Sequence, residues 1–256
     1  MGLTTLFETS DSQSDFKEIP LYQKLEFSSL VCSLILVLIW GGLTFVSPSY
    51  SYIPFSDSLS SFPYKDSSFY ELLYFGIGCL PTVWVIFFIF SLMQSKCIFY
   101  QRYFKRFSMF RSIWAHLMAV AVSNIVVIVM GNYLGRARPD FYARCGTNTN
   151  PYQCNVLSKR DLDDELRSFP SFYSATGMSS FLFLSSFLLK IIKNKETIIS
   201  CICLIPLLLA CLVGCKSIKN HKNHTDDVVG GFILGALTEI FIWKGSVKKI
   251  FVKENK

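Results

Sequence analysis

Three polar segments stand beside long apolar runs and hold most of the side chains that could do chemistry. They are residues 131–139 (GNYLGRARP), 169–173 (FPSFY) and 216–227 (KSIKNHKNHTDD). The first supplies guanidinium groups, whose planar fork of donors suits phosphate oxygens. The second supplies hydroxyl groups at a predicted helix start, where backbone N–H groups favour anions. The third combines imidazole, carboxylate and ammonium groups, so the three segments together predict a site for an anion.

Each segment also has a structural interpretation. Arg136 and Arg138 follow an apolar run and could simply reach the lipid headgroups. Ser171 could be an ordinary N-cap of the helix that follows it. The histidines and aspartates of the third segment could form a solvated loop. We expect neither a metal nor another cofactor, because the sequence offers no clear third imidazole or thiolate pair beside them.

The elements that must position these segments are apolar helices. The chain has 256 residues, of which 51% are hydrophobic. A bilayer core of about 30 Å requires roughly 20 helical residues. Six segments have about that length, and they predict an all-α fold, a six-transmembrane-helix bundle. They are residues 27–46, 69–93, 108–130, 171–192, 197–214 and 228–243.

The distribution of lysine and arginine predicts the orientation of the bundle. Basic residues follow the second, fourth and sixth spans, and such residues favour the cytoplasmic side. Both termini are therefore expected in the cytoplasm, and all three polar segments on the non-cytoplasmic face. The expected organisation is a cytoplasmic N-terminal tail (1–26), a membrane domain (27–243) and a basic cytoplasmic C-terminal tail (244–256).

The net charge of +7 fits a chain that lies against anionic lipid. Nucleic acid is not an expected partner, because the basic residues are scattered between spans. Cys145 and Cys154 share one outer loop, where oxidising conditions would permit a disulfide.

The layout resembles the eukaryotic lipid phosphate phosphatases of the type 2 phosphatidic acid phosphatase (PAP2) superfamily. The resemblance covers most of the chain. It is carried by Gly135-Arg136-Ala137-Arg138-Pro139-Asp140-Phe141 with Cys145 downstream, by Phe169-Pro170-Ser171, by Asp227-Val228, and by the outer-loop strings Asp57-Ser58-Leu59 and Pro63-Tyr64-Lys65-Asp66.

The resemblance implies a metal-free mechanism. In the family, a histidine of the third motif attacks phosphorus, an aspartate four residues later orients it, and a histidine of the second motif protonates the leaving alcohol. A lysine and an arginine of the first motif, with an arginine of the third, hold the phosphate. Here the first-motif arginine corresponds to Arg138, with Pro139 after it, and the lysine position is Gly131.

The other two motifs also depart from the family pattern. In the second motif, Ser171 is kept, but Phe172 replaces a glycine and Tyr173 replaces the acid histidine. In the third, Asp227 is kept, Ser217 replaces the arginine and Asn223 replaces the nucleophile. His224 corresponds to a histidine that often follows the nucleophile.

These replacements predict impaired chemistry. An amide cannot accept and release a phosphoryl group as imidazole does. A phenol with a pKa near 10 is a poorer proton donor than a histidine near 6.5. Loss of a nucleophile costs on the order of 10⁶ in turnover in a protease triad. The degenerate catalytic positions are Asn223, Tyr173, Asp227 and His224, of which His224 is the candidate for a replacement nucleophile.

The expected function is a pseudophosphatase that binds or modulates phosphorylated lipids such as phosphatidate or lysophosphatidate. Homo-oligomers, or hetero-oligomers with active relatives, are further expected assemblies. The expected phosphate-binding residues are Arg136, Arg138, Ser171, Lys219 and Lys222. Two alternatives stay open. One is an active lipid phosphatase with a rearranged site, and the other is a structural or transport role in which Phe172 and Tyr173 fill the pocket.

Overall fold

The computed structural model describes residues 27–50, 58–65, 79–96, 98–146, 154, 157–193 and 196–251. The expected tail at 1–26, the start of the expected second span and residues 252–256 lie outside the described residues. The described part is all-helical, as predicted. Its helices are α1 (Phe27–Leu43), α2 (Pro81–Lys96), α3 (Ile98–Tyr103), α4 (Met109–Leu134), α5 (Phe141–Cys145), α6 (Lys159–Glu165), α7 (Phe172–Ile191), α8 (Thr197–Ile202), α9 (Ile205–Lys219) and α10 (Thr225–Ile250), with a 3-10 turn at Ser58–Ser60.

Four helical segments of the described chain, one of them made of α8 and α9 together, are long and apolar enough to cross a membrane. They are Met109–Leu134, Phe172–Ile191, Thr197–Lys219 and Thr225–Ile250. Two shorter apolar helices, Phe27–Leu43 and Pro81–Ser95, correspond to the first two expected spans. These helices indicate an integral membrane protein. The last helix continues past residue 243, where the expected span ends, to Ile250.

The fifth expected span contains a break in its helix. Helix α8 ends at Ile202, and α9 begins at Ile205. Pro206 stands in the first turn of α9, where its missing N–H and fixed φ cost nothing. The proline thus starts a helix, and α9 runs on to Lys219, five residues beyond the expected end at 214.

Helix α7 lies at the centre of the bundle and packs against α4, α9 and α10, while α1 packs on α4. Glycines let α7 and α10 approach closely. A Cβ at Gly231 or Gly235 would collide with the carbonyl oxygens of Ser171 and Ala175 respectively. Small residues are the usual means of close helix packing in membranes. This contact fixes the start of α7 against the start of α10, where the second and third polar segments lie.

Two apolar clusters stand at opposite ends of the bundle. An aromatic cluster near the end of α7 includes Phe87, Phe107 and Phe187. A smaller cluster beyond the start of α7 contains Phe141, Leu162 and Leu166, together with Ala137, Tyr142, Cys145 and Cys154. The disulfide that the sequence would permit is present between Cys145 and Cys154. It ties α5 to the chain before α6, and both short helices border the three polar segments.

Candidate functional site

Asn223, at the nucleophile position of the third segment, is held by three hydrogen bonds. Its Oδ1 accepts from Ser217 Oγ at 2.6 Å and from Ser171 Oγ at 3.0 Å. Its Nδ2 donates to the carbonyl oxygen of Ser168 at 2.6 Å. The residue is 4% exposed. Its amide therefore joins the second and third segments as a structural link, and its nitrogen is no accessible acceptor for the glycan that the Asn223-His224-Thr225 sequence would permit.

The adjacent residue, His224, forms a histidine–aspartate pair. Its Nδ1 lies 3.0 Å from Oδ2 of Asp227, and its backbone N–H donates to the same oxygen at 2.8 Å. The backbone contact is the Asp227 half of a capping box at the start of α10. On the other side of the ring, Nε2 lies 3.2 Å from the carbonyl oxygen of Leu59. The nitrogen that would attack a substrate is thus covered by the chain at Leu59.

Arg136 neutralises the carboxylates at the start of α10. Its Nη1 contacts Asp226 and lies 2.7 Å from Oδ1 of the fully buried Asp227. Ligand atoms of His224, Asp226 and Asp227 lie within 4.8 Å of one another, so this group could geometrically hold a metal ion. The guanidinium competes with a cation for both carboxylates, so the donor set suits an arginine better than a metal.

A cleft of about 470 Å³ opens beside this network. Five positions of the family motifs line it: Gly131, Arg138, Pro170, Phe172 and Tyr173. Four cationic side chains and two carboxylates line the cleft. None of residues 216–227, all of which the structure describes, lines it. The cationic and acidic residues are Arg138, Lys159, Arg160, Arg167, Asp163 and Asp164.

The arginine that remains of the first motif is held by a buried acid. Arg138 Nη1 lies 3.5 Å from Oε1 of the fully buried Glu165, which also pairs with Arg144. Burial opposes the charge of Arg138, but the charges of Glu165, Tyr173, Asp164 and Asp140 together outweigh burial and raise the pKa of the guanidinium above its ordinary value. The Nε of Arg138 is buried with no hydrogen-bond partner among the described residues. Arg138 is therefore a fixed cation with a donor to spare.

Asp140 is a buried carboxylate next to this ion pair. It lies 3.8 Å from the Nζ of Lys222. Its two oxygens accept no hydrogen bond from the described part of the chain. Burial, reinforced by the charge of Glu165, raises the pKa of Asp140 from 3.8 to about 6, although Lys222 and Arg138 pull it down.

Residues 58–65, the outer-loop segment, lie across the third polar segment. The Phe62 ring stacks on His221 at 4.9 Å, and its N–H donates to the carbonyl oxygen of Pro139 at 2.9 Å. Tyr64 lies between two cations, with Lys222 Nζ at 5.0 Å and Arg144 Cζ at 5.1 Å from the ring centroid. The outer-loop segment therefore covers this face of the loop before α10.

The nine residues that the sequence singles out fall into distinct groups. Arg138 and Tyr173 line the cleft, and Asn223 and Ser171 share one hydrogen-bond network. Arg136, His224 and Asp227 form an ion cluster. The remaining two lie apart from the cleft: Lys222 is buried against Asp140, and the exposed Lys219 contributes its carbonyl oxygen to Lys65 Nζ.

Sequence reasoning predicted only Arg138 among the six charged residues of the cleft wall, and it assigned no role to Glu165. Arg167 lines the cleft, and Glu165 anchors Arg138. The one feature of the sequence that pointed to Arg167 or Glu165 was that both stand shortly before the second polar segment. Neither residue belongs to the motifs that guided the prediction.

A comparison with models of known protein families shows to which family this chain belongs. The model of the PAP2 superfamily matches residues 112–251, more than half of the chain. The chain belongs to the PAP2 superfamily. The match includes α4, α7, α9 and α10, and with them all three polar segments.

Individual relatives in this superfamily are similar at modest identity. Lipid phosphate phosphatase 1 of Arabidopsis thaliana is 28% identical over 226 residues, which is 82% of this chain and 65% of the relative. Probable diacylglycerol pyrophosphate phosphatase 1 of Schizosaccharomyces pombe is 26% identical over 179 residues, 63% of this chain and 60% of the relative. Phospholipid phosphatase-related protein type 1 of Homo sapiens is 25% identical over 166 residues, 59% of this chain and 50% of the relative.

The chain spans between half and two thirds of the length of these relatives. No solved structure matches it.

Proposed function

We propose that this protein binds phosphorylated lipids of the phosphatidate or lysophosphatidate class in its cleft and does not hydrolyse them. In this proposal the chain is a six-span bundle, with both termini in the cytoplasm and the cleft on the opposite face. Residues 1–26 and 244–256 are its tails. Its partners are the lipid and, through the shared fold, active relatives or further copies of itself.

One observation carries the loss of hydrolysis. The side chain at the nucleophile position is the amide of Asn223, and hydrogen bonds to Ser171, Ser217 and the Ser168 carbonyl occupy its oxygen and nitrogen. An amide cannot take up and release a phosphoryl group as imidazole does. The acid position adds to the loss, because Tyr173 is a weak proton donor at neutral pH.

The charge and shape of the cleft support lipid binding. Arg138 is held in place by Glu165 and has an unused donor at Nε. Apolar residues of α4, Val127 and Ile128, line the same cleft as this cation. A cation above an apolar wall suits a phosphate group joined to an acyl chain.

A second candidate function, an active phosphatase, is favoured by the pair of His224 and Asp227. A histidine whose Nδ1 faces a buried carboxylate has the arrangement of an activated nucleophile. Two features oppose it. The Leu59 carbonyl lies against Nε2, and His224 does not line the cleft that holds Arg138. Activity would require the outer-loop segment to move away.

Binding can be measured with the purified full chain in detergent micelles and a short-chain phosphatidate. We expect saturable binding and no release of phosphate. The Arg138→Gln variant should weaken binding about tenfold, because it removes a charge-assisted hydrogen bond. Arg106→Gln removes the same charge from an exposed position remote from the motif segments, so it should leave binding unchanged. Equal binding by the wild type and the Arg138 variant would contradict the proposal.

A further inference from the structure

Arg167 fills the space beside Gly131 at the end of α4. A Cβ on Gly131 would lie 3.7 Å from Cβ and 3.8 Å from Cγ of Arg167. Both residues line the cleft. The stem of Arg167 would therefore be in ordinary van der Waals contact with the first carbon of a side chain at residue 131.

Contacts with backbone and side-chain oxygens fix the guanidinium of Arg167. Its Nε donates to Asn132 Oδ1 at 2.7 Å, and its Nη2 donates to the carbonyl oxygens of Val46 at 2.6 Å and Thr44 at 3.3 Å. These bonds join the end of α1 to the end of α4. Arg167 is thus a preorganised cation, and a ligand would not have to immobilise its side chain.

One nitrogen of this guanidinium, Nη1, is paired with an exposed carboxylate that a ligand could displace. Nη1 carries two hydrogens, and its partner is Asp164 Oδ1 at 3.1 Å. The Asp164 side chain is 54% exposed, and such surface pairs contribute little to stability. A phosphate dianion would compete with Asp164 for Nη1 and could also use its second hydrogen.

We propose that Arg167 is the second phosphate-binding cation of the cleft and acts with Arg138 on a phosphomonoester dianion. Arg167, on the chain before α7, would supply the positive charge that a lysine at position 131 would carry and that Gly131 lacks. This inference rests on the proposed lipid binding and adds to it the residue that completes the anion site. It requires no chemical step.

The test uses rescue to separate charge from structure. Arg167→Gln removes the cation and also the bonds to the ends of α1 and α4. Adding Gly131→Lys to this variant returns a cation to the cleft without those bonds. A side chain fits at residue 131, because the nearest atoms to a Cβ there lie 3.6 Å away or more. The matched control combines Arg167→Gln with Gly131→Gln, which adds similar bulk without charge.

Two quantities are measured on the full chain in micelles, the Kd for dioctanoyl phosphatidate and the midpoint of thermal unfolding. We expect Arg167→Gln to weaken binding about tenfold or more and to lower the midpoint. Gly131→Lys should recover most of the affinity but not the midpoint, and Gly131→Gln should recover neither. Inorganic phosphate, used as a competitor, should lose affinity by the same factor as the lipid, because the contact is with the phosphate group.

Three results would overturn the inference while leaving lipid binding in place. They are an unchanged Kd in Arg167→Gln, equal rescue by Gly131→Gln and Gly131→Lys, and a loss of affinity confined to the lipid with inorganic phosphate unaffected. If the wild-type protein binds no phosphatidate, the proposed function fails, and this inference fails with it.

Discussion

The Nδ1 atom of His224 lies 3.0 Å from Oδ2 of Asp227, so the aspartate that would orient a nucleophile is paired with the residue after the nucleophile position. The amide oxygen of Asn223 accepts hydrogen bonds from Ser171 and Ser217 instead. The histidine–aspartate pair thus lies in the capping box at the start of α10. Its outer nitrogen faces the carbonyl oxygen of Leu59 instead of the cleft.

The ion cluster at the start of α10 should be more important for stability than for binding. Arg136→Gln leaves the buried Asp227 without its arginine, and we expect it to lower the free energy of unfolding by about 2 kcal/mol. Asp226→Asn is the matched control. Asp226 is 62% exposed, so its loss should cost less than about 1 kcal/mol. Thermal unfolding in micelles measures both, and equal costs would contradict a buried ion cluster.

The buried Asp140 should make stability depend on pH. Its pKa in the fold, about 6, is above the ordinary value of 3.8, so the folded protein favours the protonated acid. Ionisation of the buried Asp140 therefore lowers the free energy of unfolding. This loss is absent below about pH 4, grows between pH 4 and 6, and is complete above pH 6. Asp140→Asn should therefore stabilise the protein by roughly 2 kcal/mol at pH 7.5 and have little effect at pH 4.

Unfolding of the wild type and Asp140→Asn at the two pH values tests this prediction, with the pH 4 comparison as its internal control. If Asp140→Asn destabilises the protein at pH 7.5, the prediction is wrong. The attraction of Lys222 and Arg138 for the ionised Asp140 would then exceed the cost of burying its charge.

The close contact of α7 with α10 gives a prediction about packing. A Cβ at Gly235 would collide with the Ala175 carbonyl, so Gly235→Ala should destabilise the bundle by about 2 kcal/mol. A Cβ at Gly245, in the same helix, meets nothing within 4 Å. Gly245→Ala should instead stabilise by up to about 1 kcal/mol, because alanine favours the helix. The two midpoints of thermal unfolding should move in opposite directions, and a gain at both sites would show that helix propensity, not contact, governs the effect.

The helices were predictable because apolar length is a local property of the chain. Residues 108–130 and 171–192 correspond closely to α4 and α7. The break between Ile202 and Ile205 was not predicted, since a proline within a span is compatible with a kinked or an interrupted helix. The seven-residue extension of α10 to Ile250 was also missed, because Lys244 and Lys248 look like the end of a span although a helix can continue beyond the apolar core.

The convergence of Ser171, Ser217 and Asn223 follows from motif order and spacing, which place them at neighbouring helix ends. The role of Arg136 could not be predicted in this way, because a guanidinium near a membrane suits a phosphate and a carboxylate equally. Arg167 and the Leu59 carbonyl act through contacts between segments distant in sequence. No local pattern specifies such contacts.

Phosphate release from phosphatidate by the purified wild-type protein, beside the Asn223→His/Tyr173→His and His224→Ala variants, tests the central claim most directly. We predict no release by the wild type, while it still binds the lipid. Release by the double variant would further show that the cleft keeps its phosphate site. Release by the wild type that His224→Ala abolishes would contradict the claim, because His224 would then be a working nucleophile.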